Sequence, residues 1–415
     1  MSIVDFCGWE MGAIQHEQTT ENIAVGAPVA DSSRHGSGEF VAAVDVNDSS
    51  LSRNLNFADA YCWSSFHFNG VSGGLVDDWN IIARYAVTGG TVYRKIAFKA
   101  TTVNTVTWAV LDGANAVLVQ GSLDYGFVNA HLSRNHWIGF ICKRTETTKV
   151  VLRIVAWDWV SEAALKDKPD SGRIPYRFLT LISTGDAVHA NNWDTWEICS
   201  LTSGKGATLA WQCDDAFFGS GQDIPRRYPG VLHTEANANV GAPYNDWEAL
   251  AGGADSGDWN QWDEIPADDA TSYNRSPLAG DQQLSDLGDR ASIIDYRGGY
   301  ALDDQTSPGL RRSLLALGMR LRCSYVADGV NTIDLLYRFG SGAPTNGGTL
   351  PAVGAWTSYD FMKILEAGST YKNKDVDDWE MGAEASGAGV AERRVTTLGA
   401  EIAYIKTDPW PALAM

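Results

Sequence analysis

Nowhere along its 415 residues does this chain hold the ~18 consecutive apolar residues that a membrane-crossing helix needs, so no such helix is written into it. Histidine is scarce, seven in all, with none beyond His233, which leaves the second half without the imidazole that a serine-hydrolase triad requires. Six cysteines, from Cys7 to Cys323, include no Cys-x-x-Cys pair. That spacing argues against a zinc or dithiol motif and leaves the thiols as small buried hydrophobes. Positive charge is also short: 32 Lys plus Arg stand against 51 Asp plus Glu, a formal charge of −19. Phosphate backbones and anionic headgroups repel such a chain, so neither nucleic acid nor a membrane surface is expected as a partner. The opening residues Met1–Phe6 carry no basic or apolar leader region, and synthesis in a cytoplasm is the expectation.

The chain is rich in 42 Gly, 16 Trp and 15 Tyr, against 13 Pro, the mixture of turn formers and large flat residues that suits pleated sheets. Alternation supports this: in Thr105-Val106-Thr107-Trp108-Ala109-Val110 the even positions are large and apolar, the two-residue period of a half-buried strand. Trp196-Glu197-Ile198-Cys199 and Leu209-Ala210-Trp211-Gln212-Cys213 repeat the pattern. The stretch Gly219–Gly230 gathers Gly, Pro and Asp turn formers and is the best break between domains. The prediction is an all-β architecture of two β-sandwich domains, residues 1–222 and 223–415. One short helix is predicted over Ala355–Gly368, with Thr357 as N-cap, Phe361, Ile364 and Leu365 on one face, and Gly368 closing it.

The motif order Leu209-Ala210-Trp211-Gln212-Cys213-Asp214-Asp215-Ala216-Phe217-Phe218, then Pro229-Gly230, Trp247 and Asp268-Asp269-Ala270-Thr271-Ser272-Tyr273, resembles minor virion structural proteins of tailed bacteriophages. Pro351-Ala352-Val353-Gly354-Ala355-Trp356-Thr357, running into Leu365-Glu366-Ala367-Gly368, is similar to a passage near the end of the same family. The resemblance covers roughly residues 60–370 in motif order. It implies a concanavalin-A-like, laminin-G-like sandwich and a structural component of the virion, a capsid decoration or a tail-fibre-associated protein. The partners it implies are other virion proteins, in symmetric homo-oligomers, with host surface glycan as a further contact.

Jelly-roll glycosidases need two carboxylates facing each other across a cleft, and the nearest approach is Asp378, Glu380 and Glu384, whose spacing fits a solvated turn better. Gly70-Val71-Ser72-Gly73-Gly74 has the letters of a nucleophile elbow, but the elbow needs a helix after it and strand-like residues follow. Asp45-Val46-Asn47-Asp48 and Asp375-Val376-Asp377-Asp378 are rich in oxygens without the full ligand ladder of a calcium loop. Arg311, Arg312, Arg320 and Arg322 form a basic cluster suited to local carboxylates or a subunit contact. No catalytic residue, metal or cofactor is therefore predicted. Tryptophan rings stack on sugar faces when exposed, and Trp63, Trp79, Trp259 and Trp262 are the candidates, with Trp259 and Trp262 in a polar stretch the first choice for a glycan site. A jelly-roll polysaccharide depolymerase and a non-catalytic glycan-binding module are the alternatives to the virion structural reading.

Overall fold

Val106, Trp108 and Val110, the apolar half of the alternation, are fully buried on one face of a strand. The structure is a computed structural model that describes the strands given below and short connections at 113–116, 243–244, 246–247, 273, 278–281, 342–344, 355–356, 388 and 392. The chain divides into two compact units, the first of Met1–Trp9 and Gln18–Pro229 and the second of Glu10–Glu17 and Gly230–Met415.

In the first unit the strands are β1 (Ser2–Cys7), β2 (Val29–Ala30), β3 (Phe40–Val44), β4 (Ser49–Asn54), β5 (Tyr61–Gly70), β6 (Val76–Ala86) and β7 (Val92–Thr102). They continue as β8 (Thr105–Asp112), β9 (Val117–Asp124), β10 (Asn135–Lys143), β11 (Val150–Trp157), β12 (Pro175–Ser183), β13 (Thr195–Thr202) and β14 (Trp211–Ser220). One sheet runs β12-β11-β10-β5-β14-β3-β2, with β1 also on β14, and the other runs β4-β13-β6-β7-β8-β9. The chain crosses repeatedly between the sheets, so that β5 lies between β10 and β14 and β6 lies beside β13, the wiring of a jelly roll.

Rings fill the space between the sheets. Phe68 of β5 meets Phe98 at 5.4 Å, Trp108 at 5.8 Å and His136 at 5.8 Å between centroids, all edge to face. Trp196 of β13 stands edge-on to Phe218 of β14 at 4.2 Å, and Tyr85 stacks on Phe140 at 4.6 Å. Such pairs add about 0.5–1.5 kcal/mol each beyond the area they bury. The Tyr85 hydroxyl is also hydrogen-bonded to Ser64 Oγ across the gap. At one side of the sandwich Gly121 of β9 lies against β12, where a Cβ would stand 2.6 Å from Leu181 Cδ2. The β8–β9 turn is tied by side chains. Asp112 Oδ1 accepts from the Ala114 and Ala116 N–H groups, both at 2.8 Å, and Asn115 takes a φ of 70°. Lys95 Nζ, from β7, donates to the Gly113 carbonyl at 2.8 Å and to Asn115 Oδ1 at 2.6 Å.

The second unit contains β15 (Pro229–Glu235), β16 (Ala238–Asn239), β17 (Glu248–Ala249), β18 (Asn274–Ser276), β19 (Gln282–Asp286), β20 (Ile294–Asp295) and β21 (Tyr300–Ala301). It closes with β22 (Arg311–Tyr325), β23 (Asn331–Phe339), β24 (Thr345–Leu350), β25 (Thr357–Ile364), β26 (Trp379–Gly387) and β27 (Arg393–Thr407). Its sheets run β17-β18-β27-β22-β25, with β15 on β27, and β16-β19-β26-β23-β24, beside a small β20–β21 pair. The fully buried Arg393 of β27 crosses from the first sheet to the second, donating from Nε to the Thr332 carbonyl at 3.1 Å and from a terminal nitrogen to the Ser386 carbonyl at 2.5 Å. The described part of the chain is thus all-β, two β-sandwiches built of antiparallel pairs.

One element departs from expectation. The helix expected over Ala355–Gly368 does not form among its described residues; Thr357–Ile364 is instead strand β25, paired with β22 from Cys323↔Thr357 to Ala316↔Ile364. Thr357, Tyr359, Phe361 and Ile364 are strand formers, and the edge of the long β22 offers them a hydrogen-bond ladder that outweighs a marginal isolated helix. Cys62 and Cys323 are buried thiols, and among the described residues no helix is long and apolar enough to cross a membrane.

Gly382 of β26 faces the main chain of β19 so closely that a Cβ would overlap the Gln283 carbonyl oxygen, with Leu284 Cα at 2.9 Å. Gly382→Ala is expected to break this pairing at a cost of at least about 3 kcal/mol. Urea denaturation followed by far-UV circular dichroism checks this; an unchanged midpoint would contradict it.

Candidate functional site

The outward face of the β4-β13-β6-β7-β8-β9 sheet is set by strand alternation. Because Phe98 and Trp108 point inward, their neighbours Ala97, Lys99, Thr107 and Ala109 point outward. Register aligns these into rows. Ile81, Ala97 and Ala109 sit side by side on β6, β7 and β8 and form, with Leu111, a buried apolar cluster on which the half-buried Trp79 packs. In the adjacent row Lys99 lies opposite Thr107, and Thr107 opposite Ser122. The Lys99 ammonium stands 4.7 Å from the centre of the Trp79 ring, and the Thr107 and Ser122 hydroxyls are 2.9 Å apart on the exposed surface. Trp79, Lys99, Thr107 and Ser122 therefore make a continuous strip of about 14 Å, three inter-strand spacings. It holds one aromatic ring, one ammonium and two hydroxyls. Beyond the apolar row Arg84 forms an ion pair with Glu197 of β13.

The other sequence candidates fall elsewhere. Trp63 is not exposed: it lies in β5 at 1% accessibility, with Ser65 at 0% on the same face and Phe66 and Phe68 at 0% on the other. This strand, central between β10 and β14, is covered on both sides, which a sequence window cannot reveal. Trp259 and Trp262 lie outside the described residues, as do Asp378 and the acidic turns at 45–48 and 375–378. The Gly-x-Ser-x-Gly letters begin at Gly70, the last residue of β5, and the next described element is the strand β6, where an elbow requires a helix. Arg311, Arg312, Arg320 and Arg322 are positions of β22, Arg320 registered opposite Asp360 and Gly399.

Glu380 and Glu384 share the outward face of β26, and both are engaged. Glu380 pairs with Arg338, whose guanidinium also covers the Tyr244 ring at 4.7 Å and donates to the Gly342 carbonyl at 3.1 Å. Glu384 accepts from Gln282 Nε2 at 2.7 Å. The sequence pattern did not reveal Asp334, which register sets directly opposite Glu384 on β23. Among the described residues no group of three or more His, Cys, Asp or Glu side chains is arranged to hold a metal ion.

No protein-family profile matches the chain, and no curated protein does. Among solved structures it is similar to the receptor-binding domain of botulinum neurotoxin type G, at 9% identity over 52% of this chain and 52% of that one, with a TM-score of 0.31. It is also similar to a seed lectin of Lotus tetragonolobus, at 9% identity over 51% of this chain and 98% of the lectin, with a TM-score of 0.29. A third likeness is to the tandem CBM22 domains of Xyn10C from Paenibacillus barcinonensis, at 11% identity over 96% and 97%, with a TM-score of 0.24. The chain spans about half of the toxin domain. The architecture itself rests on the two sheet pairs described above.

If the Glu380–Arg338 pair holds structure, removing it costs stability. Arg338 keeps only 10% of its side chain exposed, and Glu380→Gln is expected to destabilise the chain by about 1–3 kcal/mol. Glu384→Gln, which retains a hydrogen-bond acceptor for Gln282, is expected to cost less than about 1 kcal/mol. Equal midpoints for the two variants in denaturant would overturn this ordering.

Proposed function

We propose that the chain is a non-catalytic glycan-binding β-sandwich protein. The observation that carries this is the outward strip of Trp79, Lys99, Thr107 and Ser122 on the first unit. A sugar presents an apolar C–H face to an indole and a rim of hydroxyls to nearby donors and acceptors. Here the indole is held by packing on the Ile81, Ala97, Ala109 and Leu111 cluster, which fixes its orientation before a ligand arrives. On binding, the Lys99 ammonium moves from the ring to a sugar hydroxyl, so a cation–π contact worth about 0.5–1 kcal/mol is exchanged for stacking plus a charge-assisted hydrogen bond. No step of this needs a reacting carboxylate, and the depolymerase alternative finds little support in Glu380 and Glu384, both already engaged by neighbours.

In a glycan-array screen followed by calorimetric titration, Trp79→Ala is expected to weaken the best ligand at least about tenfold, equivalent to roughly 1.4 kcal/mol. Its fold should be retained by circular dichroism. Trp259→Ala combined with Trp262→Ala serves as the comparison: loss in that variant with full affinity in Trp79→Ala would move the site to the polar stretch and sink the strip. The second reading is that this binding protein is mounted on the particle of a tailed phage, in contact with other virion proteins. It is favoured by the motif order from Leu209–Phe218 to Pro351–Thr357. Mass spectrometry of purified particles is expected to find the chain, and its absence there would remove this reading.

A further inference from the structure

Asn-Gly occurs twice in the chain, at Asn69-Gly70 and Asn346-Gly347, and the fold holds the two differently. Asn69 lies inside the first unit's larger sheet, registered opposite Asn135 of β10 on one side and Gln212 of β14 on the other. Asn346 lies on β24, the edge strand of its sheet, and is exposed. There Leu336 faces Asn346 and Leu335 faces Gly348, so Gly347 is the extra residue of a bulge, left out of the ladder that occupies its neighbours. Asn346 Oδ1 accepts a hydrogen bond from the Gly348 N–H at 2.8 Å, which polarises the side-chain carbonyl and makes Cγ more electrophilic. Gly347 has no Cβ to obstruct approach to that carbon and the widest backbone freedom of any residue.

We propose that Asn346 is a self-modification site at which the folded protein deamidates. The Gly347 backbone nitrogen attacks Asn346 Cγ and forms a new C–N bond, closing a five-membered succinimide. The side-chain nitrogen leaves as ammonia and carries away the proton that the Gly347 nitrogen gave up. Water then opens the ring at one carbonyl or the other, yielding aspartate or isoaspartate. The attacking nitrogen must shed its proton, so the reaction accelerates as pH rises. Either product places a new negative charge two residues along the strand face from the row of Glu380 and Arg338. Isoaspartate also lengthens the main chain within an edge strand whose register is already broken.

A third asparagine supplies a further internal control. Asn115 is in a turn with a φ of 70°, but the following N–H, that of Ala116, is held by Asp112 Oδ1 at 2.8 Å, and Ala116 carries a Cβ. The test is incubation of the full chain at neutral and mildly alkaline pH, native and in urea, with peptide mapping by mass spectrometry and an isoaspartate-specific methyltransferase assay. Expected in the native protein is time-dependent conversion at Asn346, faster at the higher pH, with Asn69 and Asn115 retained as amides. Urea should bring Asn69 into the reaction. Asn346→Gln and Gly347→Ala should each abolish the native signal. Retention of the Asn346 amide in the native protein while urea releases it would overturn the proposal, as would conversion of Asn69 and Asn346 at equal rates in the folded state.

Discussion

Two twisted sheets about 10 Å apart leave a space that must be filled by side chains from both inner faces, and in the first unit aromatic rings fill it. Phe68 touches rings from β7, β8 and β10, and Trp196 touches rings from β5 and β14. These interlocked edges fix which residues face inward, and a slip of one residue would turn every ring to solvent. The outer surface is specified by the same constraint: Trp79, Lys99, Thr107 and Ser122 share a strip because Phe98, Trp108 and Leu123 cannot leave the core. Among the described residues the buried indole nitrogens of Trp108 and Trp196 have no hydrogen-bond partner, so these tryptophans serve by volume.

The second unit meets the same geometric demand with different means. Leu321, Cys323, Val395, Ile333, Leu335, Met381 and Ala385 supply a mostly aliphatic interior, and Arg393 joins the sheets through two carbonyl oxygens. A buried guanidinium is tolerable only with its donors satisfied, and carbonyls at the ends of β23 and β26 provide acceptors where the ladders run out. Gly382 lets β19 and β26 approach closely, and the outward carboxylates Glu380 and Glu384 lie on either side of that approach.

Much of this was legible in the chain. Alternation at Thr105–Val110 located β8 and its inner face, turn formers separated the strands, and the scattered cysteines read correctly as thiols at Cys62 and Cys323. The helix over Ala355–Gly368 was misread because capping letters and a three-four spacing are local signals, whereas β25 owes its existence to β22, more than thirty residues earlier. Trp63 was misread for a related reason: alternation tells one face from the other but not whether the outer face is itself covered. Trp79 was named among four tryptophans, but its partners were invisible, since Lys99, Thr107 and Ser122 come together only through cross-strand register. Asp334 opposite Glu384 was missed likewise, as the two are fifty residues apart.

The Lys95 side chain has a wider consequence. Its ammonium enters a small cage of oxygens formed by the Gly113 carbonyl and Asn115 Oδ1, beside the turn organised by Asp112. Turns of this composition, rich in Asp, Gly and Asn, in other settings owe their shape to a divalent ion drawn from solution. Here the cation is covalently tethered to the neighbouring strand, so the hairpin carries its own counter-ion. The shape of the β8–β9 turn is therefore held from β7 by groups that the chain itself supplies.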